Sequence, residues 1–161
     1  QVFVENYRKL AMLPTPDKKT TPINSLFDDC LKIMTPVLKA EKIELVNQIN
    51  SSRTVLVDKY QIEQVIINLI TNSIFALKDK EEKKIFLSTT SENNRLFITI
   101  SDTGKGIEPE IRDKIFLPFF TTRKDGAGIG LTLSKNIIEA HGGYLSCKTE
   151  ENRTDFVICL I

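Results

Sequence analysis

Glycines at positions 126, 128 and 130 lead straight into a helix-like stretch that stops at Gly142-Gly143, and this run constrains the chain more than any other. Just upstream, the alternation of Leu96, Ile98 and Ile100 predicts a strand that ends in Asp102 and turns through Gly104-Lys105-Gly106. A loop with Phe116, Pro118, Phe119 and Phe120 separates that turn from the alternating glycines. The predicted helix over 131–141 ends where paired glycines can take the left-handed backbone of a C-terminal cap. A glycine-rich loop that feeds a helix start is a physical anion site. Backbone N–H groups without intrahelical partners point at the ligand, and the helix dipole favours negative charge. The same spacing also suits an ordinary tight turn. Two familiar phosphate loops are excluded, since no G-x-x-x-x-G-K-[ST] is present and G-x-G-x-x-G would need glycine where Leu131 stands.

With 161 residues the chain has the size of one domain able to bury a core of its own. Its 22 basic and 21 acidic residues nearly cancel, so no global field points to nucleic acid or a membrane surface. The apolar runs are far short of a membrane span, and no signal-peptide pattern opens the chain. Cys30, Cys147 and Cys159 show no C-x-x-C spacing and lie in predicted apolar faces, as reduced core residues of a cytoplasmic domain would. The chain starts with Gln1 and its first residues already look helical, which suggests a piece of something longer.

Residues 2–13 have apolar positions 2, 3, 10 and 13 and read as the end of a helix stopped at Pro14 and Pro16. They suit the tail of a preceding module, with residues 1–17 set apart from a domain over 18–161, or a frayed helix of this same domain. The following TPDKKTTP reads as a hinge or a short extended segment. From Pro22, apolar residues at three- and four-residue steps (Ile23, Leu26, Phe27, Cys30, Leu31, Met34) predict an amphipathic helix capped by Thr21, with Pro36 placed to bend or end it. Alternation at Ile43, Leu45 and Ile49 and at Val55 and Val57 predicts two strands joined by a tight turn at Ser51-Ser52.

Asp58 then caps a long helix, with Gln61 in capping-box position. Ile62, Val65, Ile66, Leu69, Ile70, Ile74 and Leu77 cover so much of its circumference that it must be largely buried. Gln64, Asn68 and Asn72 recur at i, i+4 and so share one face. Asparagine is a poor helix-interior residue, and buried amides need partners. The face is either a pair of core asparagines bonded to a loop or a polar stripe turned to ligand or metal. Strands over 85–90 and 95–101 form a hairpin at Glu92-Asn93-Asn94, and a second hairpin closes the chain around Glu151-Asn152-Arg153. The element order implies an α+β fold, a two-layer sandwich with one mixed sheet and helices on a single face.

Four blocks taken together resemble the ATP-binding catalytic domain of bacterial sensor histidine kinases, in the superfamily shared with gyrase, the mismatch-repair ATPases and the heat-shock chaperone ATPase. Asn68-Leu69-Ile70-Thr71-Asn72 is similar to the N box, and Asp102-Thr103-Gly104-Lys105-Gly106 to the first glycine box. Phe116-Leu117-Pro118-Phe119-Phe120 is similar to the F box, and Gly126-Ala127-Gly128-Ile129-Gly130-Leu131 to the second glycine box. The resemblance covers about residues 20–161 and implies a Bergerat-type ATP-binding fold, with a mostly antiparallel sheet. It implies ATP and Mg²⁺ as ligands. Asp102 would accept a hydrogen bond from the adenine amino group, Gly104 and Gly106 would let the backbone approach the base, and Ile107 would pack on it. Asn72 would hold Mg²⁺ through its side-chain oxygen with Asn68 close by, matching the preference of that ion for oxygen. Thr121, Thr122 and Arg123 would form a lid beside Phe119, and Gly126, Ala127, Gly128, Ile129, Gly130 and Leu131 would cradle the phosphates.

Two departures stand out. Many members place Lys and an aromatic or polar residue three and four positions after the second asparagine; here these are Phe75 and Ala76, as in the nitrogen-regulation branch, which leaves the phosphate charge to Arg123. Ala127 replaces the Thr of the usual hinge. The only histidine, His141, stands at a helix end and reads as structural rather than as the phosphoacceptor.

Three functions follow from the resemblance. In the first, the domain passes the γ-phosphoryl group to a histidine on separate dimerisation helices, within a homodimer that serves a response regulator; the parent's membrane anchoring is left open. The second is a self-contained gyrase-like ATPase, and the third a nucleotide-binding scaffold. Hydrolytic relatives carry a glutamate where Asn68 stands, and an amide cannot take a proton from water, which favours the kinase, with Asn68 and Arg123 as its catalytic residues.

Overall fold

The long strands of the central sheet alternate buried and less buried residues over much of their length, and their inward residues lie under three helices. In the computed structural model, residue 8 and residues 12–121 and 130–161 are described. The elements run β1 (Lys19–Pro22), α1 (Ile23–Ala40), β2 (Glu44–Asn47), β3 (Thr54–Val57), α2 (Lys59–Ala76), β4 (Lys84–Glu92), β5 (Arg95–Asp102), a 3₁₀ segment (Pro109–Lys114), α3 (Gly130–Ala140), β6 (Tyr144–Glu150) and β7 (Arg153–Leu160). The main sheet has the order β2-β4-β5-β7-β6, parallel only between β2 and β4. Its inward rows (Ile85 and Leu87; Leu96, Ile98 and Ile100; Phe156, Ile158 and Leu160) join Leu26, Phe27, Ile62, Ile66, Leu69, Ile70 and Ile138 of the helices in one core. The expected sandwich with a mixed, mostly antiparallel sheet is thus observed.

The hairpins predicted at Glu92-Asn93-Asn94 and at Glu151-Asn152-Arg153 both form. Asn93 and Asn94 have φ of 51° and 63°, as a two-residue type I′ turn requires, and Asn152 has 62° in the other turn. The expected hairpin at Ser51-Ser52 does not form. β2 pairs with β4, and β3 pairs antiparallel with β1 in a separate two-stranded sheet. Alternation reports which side of a strand is buried, not which strand it pairs with. The physical break is at Asn47, whose side chain accepts the Ile49 N–H at 3.0 Å, a local turn that leads the chain off the β4 ladder. The segment before α1 resolves the other open reading: Lys19–Pro22 is extended strand. Thr21 is therefore buried in β1 rather than capping α1, whose N-cap is Pro22 without a side-chain bond, and Pro36 does not end that helix.

Asp58 caps α2 through its carboxylate, which accepts the Gln61 N–H at 3.1 Å. The reciprocal half of the expected capping box is absent. Gln61 Nε2 donates instead to Pro14 O (3.0 Å), and the Asp58 N–H goes to His141 Nε2 (3.1 Å). His141 is 7% exposed, and its Nδ1 donates to Ile137 O at 2.7 Å, so the ring is the Nδ1–H tautomer with Nε2 as acceptor. Beyond it, Gly142 (φ +82°) donates to Glu139 O and Gly143 to Ile138 O, which is the Schellman closure of α3. A Cβ on Gly143 would overlap Cys159 O, so that position admits glycine alone. The three cysteines are free; burial, with Glu63 and Asp29 adding to it, pushes the Cys30 thiol up to about 12.

His141→Ala would leave the Asp58 N–H without an acceptor and open a void at the α2–α3 junction. We expect unfolding free energy to fall by about 2–3 kcal/mol, measured by urea titration at neutral pH. An unchanged midpoint would show that the imidazole is dispensable.

Candidate functional site

The inward rows of three neighbouring strands change from apolar to polar at the same edge of the sheet. On β5 the row Leu96, Ile98, Ile100 ends in Asp102; on β7 Leu160, Ile158, Phe156 ends in Thr154; on β6 Leu145, Cys147 ends in Thr149. Register places Asp102 opposite Thr154 and Thr154 opposite Thr149. Asp102 is 1% exposed, and one oxygen accepts the Gly104 N–H at 2.9 Å. Burial drives its carboxyl up to about 6, the Gly104 N–H and the nearby Ser73 hydroxyl pull it back, and Asp155 adds to the rise. Ser73, on α2 and fully buried, lowers the carboxyl's pKa but makes no hydrogen bond of good geometry, so its Oγ is an orphaned buried polar atom beside the carboxylate.

Two glycines bring backbone close around this carboxylate. A Cβ on Gly104 would fall 2.7 Å from Ala76 O and 2.9 Å from the Ala76 Cβ, so the end of α2 lies against the turn and a small residue is needed at both positions. Gly106 takes φ +78°, and a Cβ there would come 2.5 Å from Glu150 O. Ile107 is held by its N–H, which donates to Thr149 Oγ1 at 2.8 Å, and its side chain packs on the core. The result is a buried carboxylate with an orphaned hydroxyl and the apolar Ile107 at one end of the sheet. Such a set suits a flat heterocycle with an exocyclic amino group.

The amides stand on α2. Gln64 is exposed and drops out of the predicted stripe, whereas Asn68 and Asn72 are half-buried. Asn68 Nδ2 donates to Ser134 Oγ of α3 at 3.1 Å, and its Oδ1 faces Gly130, where a Cβ would overlap it. The Asn72 side chain makes no hydrogen bond among the described residues. Among the described residues no group of three His, Cys, Asp or Glu side chains could hold a metal. Amide oxygens with ligand phosphates and waters are a donor set that fits Mg²⁺. Phe116 and Phe120 pack on the core, and Phe116 O accepts from Thr132 Oγ1 at 2.7 Å, which ties the phenylalanine loop to α3. Phe119 stands at φ 63° and is more than a third exposed, Thr121 is half-buried, and Leu131 packs on the core. Thr122, Arg123, Gly126, Ala127, Gly128 and Ile129 lie outside the described residues. Ser73, Thr149, Thr154 and Ser134 were missed in the sequence, although the first follows Asn72 directly and the two threonines continue the inward parity of their strands.

A family described as histidine kinase-, DNA gyrase B-, and HSP90-like ATPase matches residues 57–161. The chain belongs to this ATPase family. The sensor histidine kinase ZraS of Salmonella typhimurium is 32% identical over 136 residues, which are 84% of this chain and 29% of that protein. The sensor protein TdiS of Thauera aromatica is 34% identical over 152 residues, 91% of this chain and 28% of that protein. The chain therefore spans less than a third of the length of these relatives. Among solved structures, the catalytic domain of histidine kinase ThkA is 28% identical with a TM-score of 0.80, covering 89% of this chain and 95% of that one. Histidine kinase ThkA in complex with response regulator protein TrrA is 25% identical with a TM-score of 0.82, covering 99% of this chain and 46% of that one. The fold is that of histidine kinase catalytic domains, and within the ATPase family the nucleotide taken is ATP.

The Asp102 carboxyl gives a pH signature. Its folded value of about 6 lies above the ordinary 3.8, so between these values the folded chain holds a proton that the unfolded chain has lost. Its contribution is most favourable below about pH 4 and falls as pH rises through 6, by about 3 kcal/mol in all. Urea titrations between pH 4.5 and 7.5 should show wild type losing stability relative to Asp102→Asn as pH rises. A pH-independent difference would mean that the carboxyl is not buried as described.

Proposed function

We propose that the chain is the ATP-binding catalytic domain of a sensor histidine kinase. It binds ATP with Mg²⁺ and passes the γ-phosphoryl group to a histidine on separate dimerisation helices. The observation that carries this reading is the pairing of a buried adenine-type carboxylate, Asp102, with an amide rather than a carboxylate at position 68. Water attack needs a base there, and Asn68 cannot take a proton. Glu63 does not replace it: burial and Asp29 raise its carboxyl and Lys59 opposes them, placing its charge among α1-side neighbours. In transfer, the bond from the γ-phosphorus to the β-γ bridging oxygen breaks, ADP leaves with that electron pair, and a P–N bond forms to the acceptor imidazole. That chemistry asks for positioning and charge neutralisation more than for proton abstraction.

In this reading Asp102 accepts the adenine amino group, with Ile107 packed on the base and Gly104, Gly106 and Ala76 shaping the approach. Asn72 holds Mg²⁺ with Asn68 beside it, and the ion would supply charge neutralisation at the phosphates. Arg123, Thr121 and Thr122 close over the phosphates, and the run from Gly126 to Leu131 supplies backbone N–H groups. Residues 1–17 are the tail of the dimerisation module of a homodimer. A response regulator receives the phosphoryl group in turn, a partnership supported by the ThkA–TrrA complex. No described helix is long and apolar enough to cross a membrane, which suits a domain on the cytoplasmic side.

Asp102→Asn should weaken ATP-analogue binding about 10- to 100-fold, the scale of a hydrogen bond to a charged partner. Equal affinities would remove Asp102 from the site. For the reaction, radiolabelled ATP should leave no label on the chain alone and turn over very slowly. Adding the parent's dimerisation helices as a separate polypeptide should give acid-labile, base-stable label on those helices, and Asn72→Ala should abolish it. Rapid turnover by the chain alone would instead favour the gyrase-like ATPase, and label on His141 would overturn the domain assignment.

A further inference from the structure

The geometry points to Ser134 as a positioning residue: it ties the Asn68 amide to α3 with the Asn68 Oδ1 turned toward Gly130. An asparagine amide is nearly symmetric in shape, and half a turn about its last bond exchanges an acceptor for a donor. Half-buried on α2, Asn68 has one described hydrogen bond, from Nδ2 to Ser134 Oγ at 3.1 Å. Ser134 is 2% exposed, so the bond is sheltered from water. The opposite end, Oδ1, then faces Gly130, the first residue of α3, where a side chain would overlap it.

These two α3 residues are one helical turn apart and bracket the amide, one through its hydroxyl and the other through its missing side chain. Ser134 differs from Thr35 and Thr71 on the other helices and, like Thr132 of its own helix, bonds outside it. Thr35 and Thr71 each bond the carbonyl four residues earlier, at Leu31 and Ile67, the usual fate of a mid-helix hydroxyl. The one described bond of Ser134 crosses from α3 to α2.

The consequence rests on the proposed ATP–Mg²⁺ site. Held this way, Asn68 presents an oxygen toward the start of α3, where it acts as an acceptor for metal-bound water or the ion. The contribution of Ser134 to nucleotide binding therefore passes through Asn68 and through the metal, not through contact of its own.

A double-mutant cycle tests this. Wild type, Ser134→Ala, Asn68→Ala and the double variant are titrated with a fluorescent ATP analogue, with Mg²⁺ and with EDTA. Ser134→Ala should weaken binding about 3- to 10-fold with Mg²⁺, the equivalent of one hydrogen bond, and less than about 2-fold without it. In the Asn68→Ala background it should change nothing. Equal losses in both backgrounds, or with and without Mg²⁺, would overturn the proposal. Ser134→Cys keeps the volume but is a weak acceptor, so it should reproduce the loss, whereas wild-type binding in this variant would assign the alanine effect to the void and overturn the proposal. The nucleotide-free chain supplies a readout independent of ligand. The Asn68 side-chain NH₂ resonances should exchange with water markedly faster in Ser134→Ala than in wild type, and unchanged exchange would sink the idea. Failure of wild type to bind the analogue under any condition would count against the ATP reading instead, while the exchange measurement still decides the role of Ser134.

Discussion

A carboxylate at the end of an apolar row is the constraint on which the site depends. Asp102 continues the inward parity of Leu96, Ile98 and Ile100, so the pleat that builds the core also carries it out of water. Burial of a charge without a full set of partners costs stability, here about 3 kcal/mol from the raised carboxyl. The fold offsets part of this with the Gly104 N–H, and the turn that supplies it must come close to both Asp102 and Ala76. Replacing Asp102 by a continuing apolar residue would remove this cost. The arrangement is accounted for if a ligand donor completes the carboxylate, with the orphaned Ser73 hydroxyl beside it offering a further polar contact.

The helix that faces this carboxylate is held at both ends. Its C-terminal end lies against Gly104 through Ala76. At its start, Asp58 caps the helix, donates its own N–H to His141 at the end of α3, and accepts the Asp17 N–H with its second oxygen at 2.9 Å. Gln61 adds a bond to Pro14 O in the segment that leads into the domain. One residue therefore joins the entering chain, α2 and α3, and the amides of Asn68 and Asn72 lie on the helix between two fixed points. Asn68 and Ser134 make a second tie between α2 and α3, further along both helices.

Most of this architecture was legible because it depends on local rules. The Asp58 cap, the Asn93-Asn94 turn and the Gly142-Gly143 stop are each set by a few adjacent residues, and all three appear where expected. Strand partnership was not legible: Val55 and Val57 announce a buried face, but pairing with β1 rather than β2 is settled by the turn at Asn47 and by contacts distant in sequence. The same divide runs through the site. Asp102, Gly104, Gly106, Asn68 and Asn72 carry spacing signals, whereas Ser73, Thr149 and Ser134 matter through what they touch across elements. His141 shows both sides, since its helix-end position was readable but its acceptance of the Asp58 N–H across 83 residues was not.

That bond also divides the labour of the proposed reaction. A phosphoacceptor imidazole must offer a nitrogen lone pair to an approaching γ-phosphorus. The only histidine of the chain has Nδ1 committed to Ile137 O and its Nε2 lone pair to the Asp58 N–H, and it is buried. Freeing it would uncap the junction of α2 and α3, the two helices that carry the site's amides and the glycine end of α3. With its only histidine committed in this way, the proposed transfer needs an acceptor from elsewhere. In the proposed function the acceptor histidine comes from separate helices, and its effective concentration depends on how the chain enters the domain. Pro14 and Asp17 are bonded to Gln61 and Asp58, so the entering segment meets the domain at the residue that also holds His141 in place. In that reading, the contacts that hold the internal histidine also mark where the helices carrying an external one would join the domain.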